Sequence, residues 1–296
     1  PDYAIDLDRW AHPDLHVRML EMIDAEGFPR IDEWCPGDVD IAPPSEVMNA
    51  IVNTPRHVSA DIARLLDKAS AGEALDEAEI IRLFQSRGDD FTAVVQRADA
   101  LRAQTNGNSV SFVVNRNINY TNICYFKCQF CAFSKGKLSE NLRGRPYDLS
   151  DEEIARRTTE AWERGATEVC MQGGIHPEYT GETYINIVRT VKSAQPNMHV
   201  HAFSPLEVWQ GAATLKMDIG EYLQQLKDVG LNTLPGTAAE ILDDEVRDII
   251  CADKINTQQW LDVMEAAHSV GYKTTATIMY GHVEKLEHWA RHIMRV

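Results

Sequence analysis

The order of apolar and polar positions changes character along the chain. In the first 45 residues Leu15, Met19, Met22 and Ile23 recur at helical spacing before Gly27. Asp38, Asp40, Pro43 and Pro44 then read as an acidic linker, so residues 1–45 form a first segment. Residues 46–108 read as helical. The run 61–70 carries Ile62, Leu65 and Leu66 on one face, and LDEAEIIRLFQSRG offers Asp76 as an N-cap and Gly88 as a stop. A further amphipathic run covers 89–104 and ends near Asn106-Gly107.

From residue 109 the period alternates between that of strands and that of helices. Strands are predicted in SVSFVVNRNINY (109–120), EVCMQGG (168–174), HVHAFSP (199–205), LNTLPGT (231–237) and TTATIMYG (274–281). Helices are predicted between them over 151–164, around 182–194, over 218–229 and over 257–270. Ser150 and Glu153 offer a capping box to the first of these, and Gly165 ends it. Strands alternating with helices imply an α/β fold with a parallel sheet. Repeats this regular favour a closed or partly closed TIM-like (β/α) barrel over a doubly wound sheet. Residues 109–296 then supply its first five βα units, preceded by the helical extension. The start at Pro1, and the finish inside the amphipathic run EHWARHIMRV, lead us to expect a piece of a longer chain.

Composition narrows the class. Of 296 residues, 44% are hydrophobic and 25% charged, with a net charge of −16. An acidic surface repels nucleic acid and anionic membranes, so neither is an expected partner. The longest basic cluster, KGKLSENLRGR (135–145), is short. No apolar run approaches the roughly 18–20 residues that span a bilayer. PDYAIDLDRW at the start does not have the form of a signal peptide, so a cytoplasmic location is expected, where clustered cysteines are metal or catalytic ligands rather than disulfides.

Three of the six cysteines, Cys124, Cys128 and Cys131, stand as C-x3-C-x2-C directly after the first predicted strand of this repeat. Cys35, Cys170 and Cys251 are isolated and read as buried thiols. A zinc site would want a second cysteine pair, and none is present. Thiolates also ligate iron–sulfur clusters, in which four irons want four ligands, so three cysteines leave one iron open to a substrate or cofactor. Other residues suggest a polar interior. Asn115, Asn117 and Asn119 alternate onto one face of the first strand, as do His199 and His201 on the third, with Ser204 and Glu207 following at its C-terminal end. Active sites of (β/α) barrels lie at that end. His176 faces substrate or caps the next helix. Glu240 is a candidate for a ribose or ammonium contact, and Arg143 and Arg145 for a carboxylate or for a solvated loop.

The three-cysteine motif in this position resembles that of the radical S-adenosylmethionine enzymes. The resemblance implies a 4Fe–4S cluster held by Cys124, Cys128 and Cys131, with S-adenosylmethionine on the open iron. Tyr125, Phe126, Phe130 and Phe133 would wrap the cluster. Gly173 and Gly174 in QGGIHP would take the cofactor's amino group, and Gly281 and Glu284 in TIMYGHVE, with His282 between them, would border its adenine. Within that superfamily, NRNINYTNICYFKCQFCAFSKGK, ATEVCMQGGIHP, HVHAFSPLEVWQGA, LPGTAAEIL and TTATIMYGHVE resemble the tyrosine-utilising component of FO synthase over roughly residues 45–296. That implies L-tyrosine and 5-amino-6-(D-ribitylamino)uracil as substrates, a companion ring-closing half, and a low-potential electron donor. Residues 1–40 resemble the tail of that preceding half. Two alternatives stay open: a menaquinone-pathway relative (an aminofutalosine or dehypoxanthine-futalosine synthase), or a non-catalytic iron–sulfur or zinc module.

Overall fold

The computed structural model describes residues 7–23, 48, 55–131 and 146–296. Gly27, Cys35, the Asp38–Pro44 linker, Phe133 and the basic stretch with Arg143 and Arg145 lie outside the described residues. Cα packing divides the chain into two units, 1–52 and 53–296. In the first, α1 (Leu7–Trp10) and a 3-10 turn (Pro13–Leu15) lead into α2 (His16–Glu21), a shorter helix than the run to Ile23 suggests.

The second unit opens with α3 (Ala60–Ser70), α4 (Glu77–Phe84) and α5 (Asp89–Asn106). Ile62, Leu65 and Leu66 are the buried face of α3, as their spacing requires. Asp76 caps α4 in a reciprocal box with Glu79. Gly88 does not end α4, which stops at Phe84. With φ +58 it instead precedes α5, where its carbonyl accepts from Thr92.

The strands β1 (Asn115–Asn119), β2 (Glu168–Gln172), β3 (His199–Ala202), β4 (Thr233–Leu234) and β5 (Lys273–Thr274) form one parallel sheet in sequence order. The helices between them are α6 (Asp151–Glu163), α7 (Gly181–Ala194), α8 (Pro205–Leu215), α9 (Ile219–Asp228), α10 (Asp244–Ile250) and α11 (Thr257–Val270). The order never reverses, so the sheet has no doubly wound switch point and follows barrel topology. Ser150 caps α6 by accepting from the Glu153 amide, but the Glu153 carboxylate turns to Arg156 and Arg157 instead of closing a box.

Alternation along the strands separates two environments. Ile118, Val169, Met171, Val200, Ala202 and Leu234 pack outward with Ile154, Tyr184, Val188, Leu223 and Val263 of the helices in the main core. The opposite face carries Asn115, Asn117, Asn119, Glu168, Cys170, Gln172, His199, His201 and Thr233, none of them buried.

All five predicted strands are shorter than their sequence pattern, and for the first, fourth and fifth the structure shows local reasons. Residues 109–114 precede the first residue of β2 that registers with β1, at Asn115↔Glu168, and Val114 O, which accepts from Thr167 N (2.9 Å), marks where the ladder begins. After Leu234, Pro235 has no N–H to donate. Gly236 then lies so close to the next segment that a Cβ there would sit 1.9 Å from the Thr275 carbonyl oxygen. Side chains replace the ladder: Gly236 N donates to Thr275 Oγ1 (2.9 Å) and Thr277 Oγ1 donates to Gly236 O (2.7 Å).

The last helix, α12 (Leu286–Arg295), packs on α4 through an edge-to-face Phe84–Trp289 contact and an Arg291–Glu77 ion pair of 3.1 Å. This joins the helical extension to the βα units. Gly236→Ala is expected to destabilise this unit by about 1–3 kcal/mol, because backbone must move to admit the methyl group. Urea unfolding would check it; an unchanged midpoint would show that the β4–β5 approach is not needed.

Candidate active site

The cysteine loop leaves β1 at its C-terminal end and is braced on two sides. On one, Gly174 N donates to Thr121 O (2.9 Å) and Tyr125 N to Ile175 O (3.2 Å). On the other, Lys127 N donates to Asp253 Oδ2 (2.8 Å), Gln129 N to Ile250 O (3.0 Å) and Gln129 Nε2 to Ile249 O (2.7 Å). Asn122 Oδ1 accepts from Tyr147 N at 2.8 Å, tying the loop's start to the segment before α6. These bonds hold the loop backbone between Thr121 and Gln129 against its neighbours on both sides.

Cys124, Cys128 and Cys131 are each half-buried and form no disulfide. Burial pushes the Cys124 thiol above its usual pKa and that of Cys128 up to about 12. Left to itself such a thiol keeps its proton; a metal that takes the proton's place would hold the thiolate. Cys124 and Cys128 border an apolar cluster with Phe126, Ile175, Leu206 and Trp260. Of the aromatic residues around the motif, Phe126 is buried, whereas Tyr125, stacked on it at 4.4 Å, and Phe130 are exposed. A half-buried trio of soft thiols on a braced loop suits an iron–sulfur cluster better than a hard oxygen-seeking ion.

The two glycines of QGG are required by the protein itself. A Cβ on Gly174 would lie 2.2 Å from Ile123 O, and one on Gly173 would lie 2.3 Å from the Tyr120 ring. This turn therefore sets the position of the cysteine loop, a role the sequence does not disclose. Gly173 N donates to Glu207 Oε1 (3.1 Å).

Ser204 and Glu207 are not on the open face. They form the reciprocal capping box of α8, both buried, with Ser204 N and Oγ donating to Glu207 Oε2 at 2.6 Å each. Tyr120 O–H also donates to Glu207. Burial raises the Glu207 pKa, against the pull of these donors. The expected substrate contact of these two side chains is thus replaced by a structural one: their polar atoms are used inside the protein.

The lumen face keeps its polar row. Asn117 Nδ2 donates to Asn119 Oδ1 (3.2 Å), and Asn115 lies beside Glu168. Thr233 Oγ1 sits between His199 Nε2 (2.8 Å) and His201 Nδ1 (2.7 Å). A hydroxyl has one proton, so it can donate to one ring while accepting from an N–H of the other. Burial pulls the His201 pKa below its usual value, with Glu168 opposing. Glu168, His199, His201, Thr233 and Lys273 line a cavity of about 290 Å³. His199 and Glu168 open their strands, so they lie at the end of the sheet opposite the cysteine loop, and His201 stands nearer to it.

Four other candidates are engaged locally. His176 stacks on Tyr179 at 4.9 Å and its Nδ1 accepts from Glu178 N (3.1 Å), so it shapes a turn and does not cap α7. Glu284 gathers the amides of Gly281 and His282 and the Trp289 indole N–H. Burial opposes ionisation of Glu284, but these donors outweigh it and hold its carboxyl at about 2. His282 pairs with Glu284 at 3.0 Å and its Nε2 bonds Met279 O at 3.0 Å. Glu240 forms a buried ion pair with Lys254, a residue that sequence reasoning missed because a lysine in an inter-helix loop reads as solvated.

The match with known proteins follows this geometry. A family model described as the Radical SAM superfamily matches residues 118–296. The chain belongs to that superfamily. It is 46% identical over 240 residues to FO synthase of Mycobacterium leprae (strain TN), covering 81% of this chain and 27% of the relative. It is 45% identical over 222 residues to the 5-amino-6-(D-ribitylamino)uracil–L-tyrosine 4-hydroxyphenyl transferase of Methanocaldococcus jannaschii, covering 74% of this chain and 60% of the relative. The chain thus spans about a quarter of the length of that FO synthase and less than two thirds of the archaeal transferase. Among solved structures, methylornithine synthase (PylB) superposes with TM-score 0.59 at 20% identity, over 78% of this chain and 63% of the other. The FeFe-hydrogenase maturase HydG from Carboxydothermus hydrogenoformans does so with TM-score 0.60 at 18% identity, over 85% and 55%. These two likenesses bear on the fold alone.

Among the described residues no helix is long and apolar enough to cross a membrane.

Replacing Glu207 by Ala would orphan buried donors from Tyr120, Gly173 and Ser204. It is expected to cost about 3 kcal/mol or more in unfolding free energy. Guanidinium unfolding of the variant would test this, and a loss below about 1 kcal/mol would show that the carboxylate is dispensable.

Proposed function

We propose that this chain is the tyrosine-utilising radical enzyme of FO formation. It would cleave L-tyrosine between Cα and Cβ and transfer the 4-hydroxybenzyl group to 5-amino-6-(D-ribitylamino)uracil. The observation that carries this reading is the braced three-thiol loop at the C-terminal end of β1, above a strand face lined with Asn, His and Thr. Identity of 45% to an archaeal protein named for that transfer supports the substrate pair.

Cys124, Cys128 and Cys131 would hold a 4Fe–4S cluster with S-adenosylmethionine at the iron they leave open. When bound, that group supplies a 5′-deoxyadenosyl radical able to take a hydrogen atom from tyrosine. The protein's part is to hold and to shield. The glycine turn at Gly173-Gly174 keeps the cysteine loop in place, and its backbone would meet the cofactor's amino group. Gly281 and Glu284, in their self-bonded turn, would border the adenine.

Asn117, Asn119 and His201 present amide and imidazole groups toward the lumen, where a ribityl chain and a uracil ring have matching donors and acceptors. His201, held neutral by burial at ordinary pH, offers a lone pair or an N–H according to the Thr233 hydroxyl. The companion ring-closing half and a low-potential electron donor belong to this reading, as do the segment 1–45 as the end of an upstream domain and the extension 46–108.

Anaerobic reconstitution with iron and sulfide, then reductant, S-adenosylmethionine and both substrates, tests it by mass spectrometry. The expected products are 5′-deoxyadenosine and a hydroxybenzyl–uracil adduct. 5′-Deoxyadenosine without the adduct from the full-length parent protein would overturn the substrate assignment in favour of a relative such as a futalosine-type synthase. Cys128→Ala is expected to abolish S-adenosylmethionine cleavage, and Cys251→Ala to leave iron content unchanged; iron lost from the second would show that the ligand set is wrong.

A further inference from the structure

Beside the cysteine loop lies a pair of charges that the proposed chemistry does not use. The side chains of Lys254 and Glu240 are 7% and 10% exposed, and the Lys254 ammonium is bonded to the Glu240 carboxylate. Removing two charges from water costs several kcal/mol per ion before their attraction repays it, and an apolar pair of similar size commonly serves stability as well. Stability alone therefore does not account for the pair.

Its surroundings hold it in place at some expense. Glu240 has φ +46 and Ala238 φ +61, a left-handed conformation unusual for residues other than glycine. Arg247, itself buried, clamps this segment by donating to the carbonyls of Ala238, Ala239 and Ile255. Met279 N donates to Glu240 O at 2.8 Å. Lys254 follows Asp253, whose carboxylate takes the Lys127 N–H of the cysteine loop. The ammonium stands 5.8 Å from the centre of the Phe130 ring, between Cys128 and Cys131 in sequence. Ala238, two residues before Glu240, borders the same apolar cluster as Cys124 and Cys128, so the pair's charge lies close to the thiols. Burial works against that charge, but Glu240 outweighs burial and keeps the lysine protonated.

We propose that Lys254, fixed by Glu240, is a tuning cation that raises the reduction potential of the cluster held by Cys124, Cys128 and Cys131. The inference rests on the iron–sulfur reading of those cysteines. A cluster with three thiolates gains negative charge on reduction, and a fixed positive charge in a poorly solvated site stabilises the added electron. Glu240 acts in the opposite sense but has a second role: it holds the ammonium against the loop. Lys254 is a positioning residue, since it acts on the cluster's potential through space and ligates nothing.

The test is an anaerobic redox titration of reconstituted protein followed by electron paramagnetic resonance, with iron and sulfide measured on each sample. Lys254→Met is expected to bind as much iron as the parent but to titrate at a more negative potential. Lys254→Arg is expected to restore the parent potential, and Glu240→Gln to shift it the other way. Equal potentials across all four proteins at equal iron content would overturn the proposal. Should Lys254→Met fail to take up iron, Lys254→Arg and Glu240→Gln still decide. A parent-like potential in Glu240→Gln overturns the proposal, and a positive shift supports it. A parent protein that binds no iron would instead overturn the cysteine reading, and this inference with it.

Discussion

The site end of this sheet depends on one buried carboxylate. Glu207 is fully enclosed, yet it accepts from four donors: Tyr120 O–H and Gly173 N on one oxygen, Ser204 N and Oγ on the other. Those donors lie just beyond the C-terminal ends of β1, β2 and β3. A charge stripped of water is tolerable only when its lone pairs are all spoken for, and here the strand ends supply what water would have. The carboxylate thereby fixes the origin of the cysteine loop, the glycine turn against it, and the start of α8 relative to one another. Packing alone would not do this, because apolar contacts have no direction.

The same end of the sheet collects unusual backbone. Phe203, Ala238 and Glu240 all adopt left-handed φ values, and all three follow β3 or β4. Each turn redirects the chain sharply from strand to helix while keeping a polar group inward: Ser204 beside Phe203, and Glu240 itself. Non-glycine residues hold such conformations only where surrounding contacts over-determine them. At Glu240 those contacts are the Arg247 clamp and the bond to Met279 N. Rigidity at the strand ends is what a site needs if it is to hold a large inorganic group without shifting when the group changes charge.

How much of this was legible from the sequence depends on the range of the interaction. The helices over 61–70, 151–164, 182–194, 218–229 and 257–270 announced themselves through apolar spacing and caps, since both act within a few residues: Asp76 with Glu79, and Ile62 with Leu65 and Leu66; α8 and α10 were not foreseen. The division into an apolar outer face and a polar lumen followed from strand alternation at Asn115, Asn117 and Asn119. The cysteine loop was legible because its three thiols are close in sequence. Strand lengths were not, since a strand extends only as far as its neighbour offers partners, and the neighbour's register is a tertiary fact. Ser204-x-x-Glu207 was read as a pair of polar groups facing the interior of the barrel, and its capping box came to light only with the burial of both side chains. The Lys254–Glu240 pair was invisible because its members stand on different connections and meet only in the fold.

The two glycines show the limit of motif reasoning most clearly. A glycine-rich turn after the second strand invites a ligand-binding role, because glycine lets a backbone come close. Here the backbone that comes close is the protein's own: Ile123 O occupies the space a Gly174 side chain would need, and the Tyr120 ring occupies that of Gly173. The two roles are compatible, and the first constrains the second. Any group bound at this turn would meet a surface whose shape is already set by the cysteine loop behind it, so its position and that of the thiols would be coupled through two residues that carry no functional group. Substitution at either glycine would therefore disturb the thiol loop before it disturbed any contact to a bound cofactor.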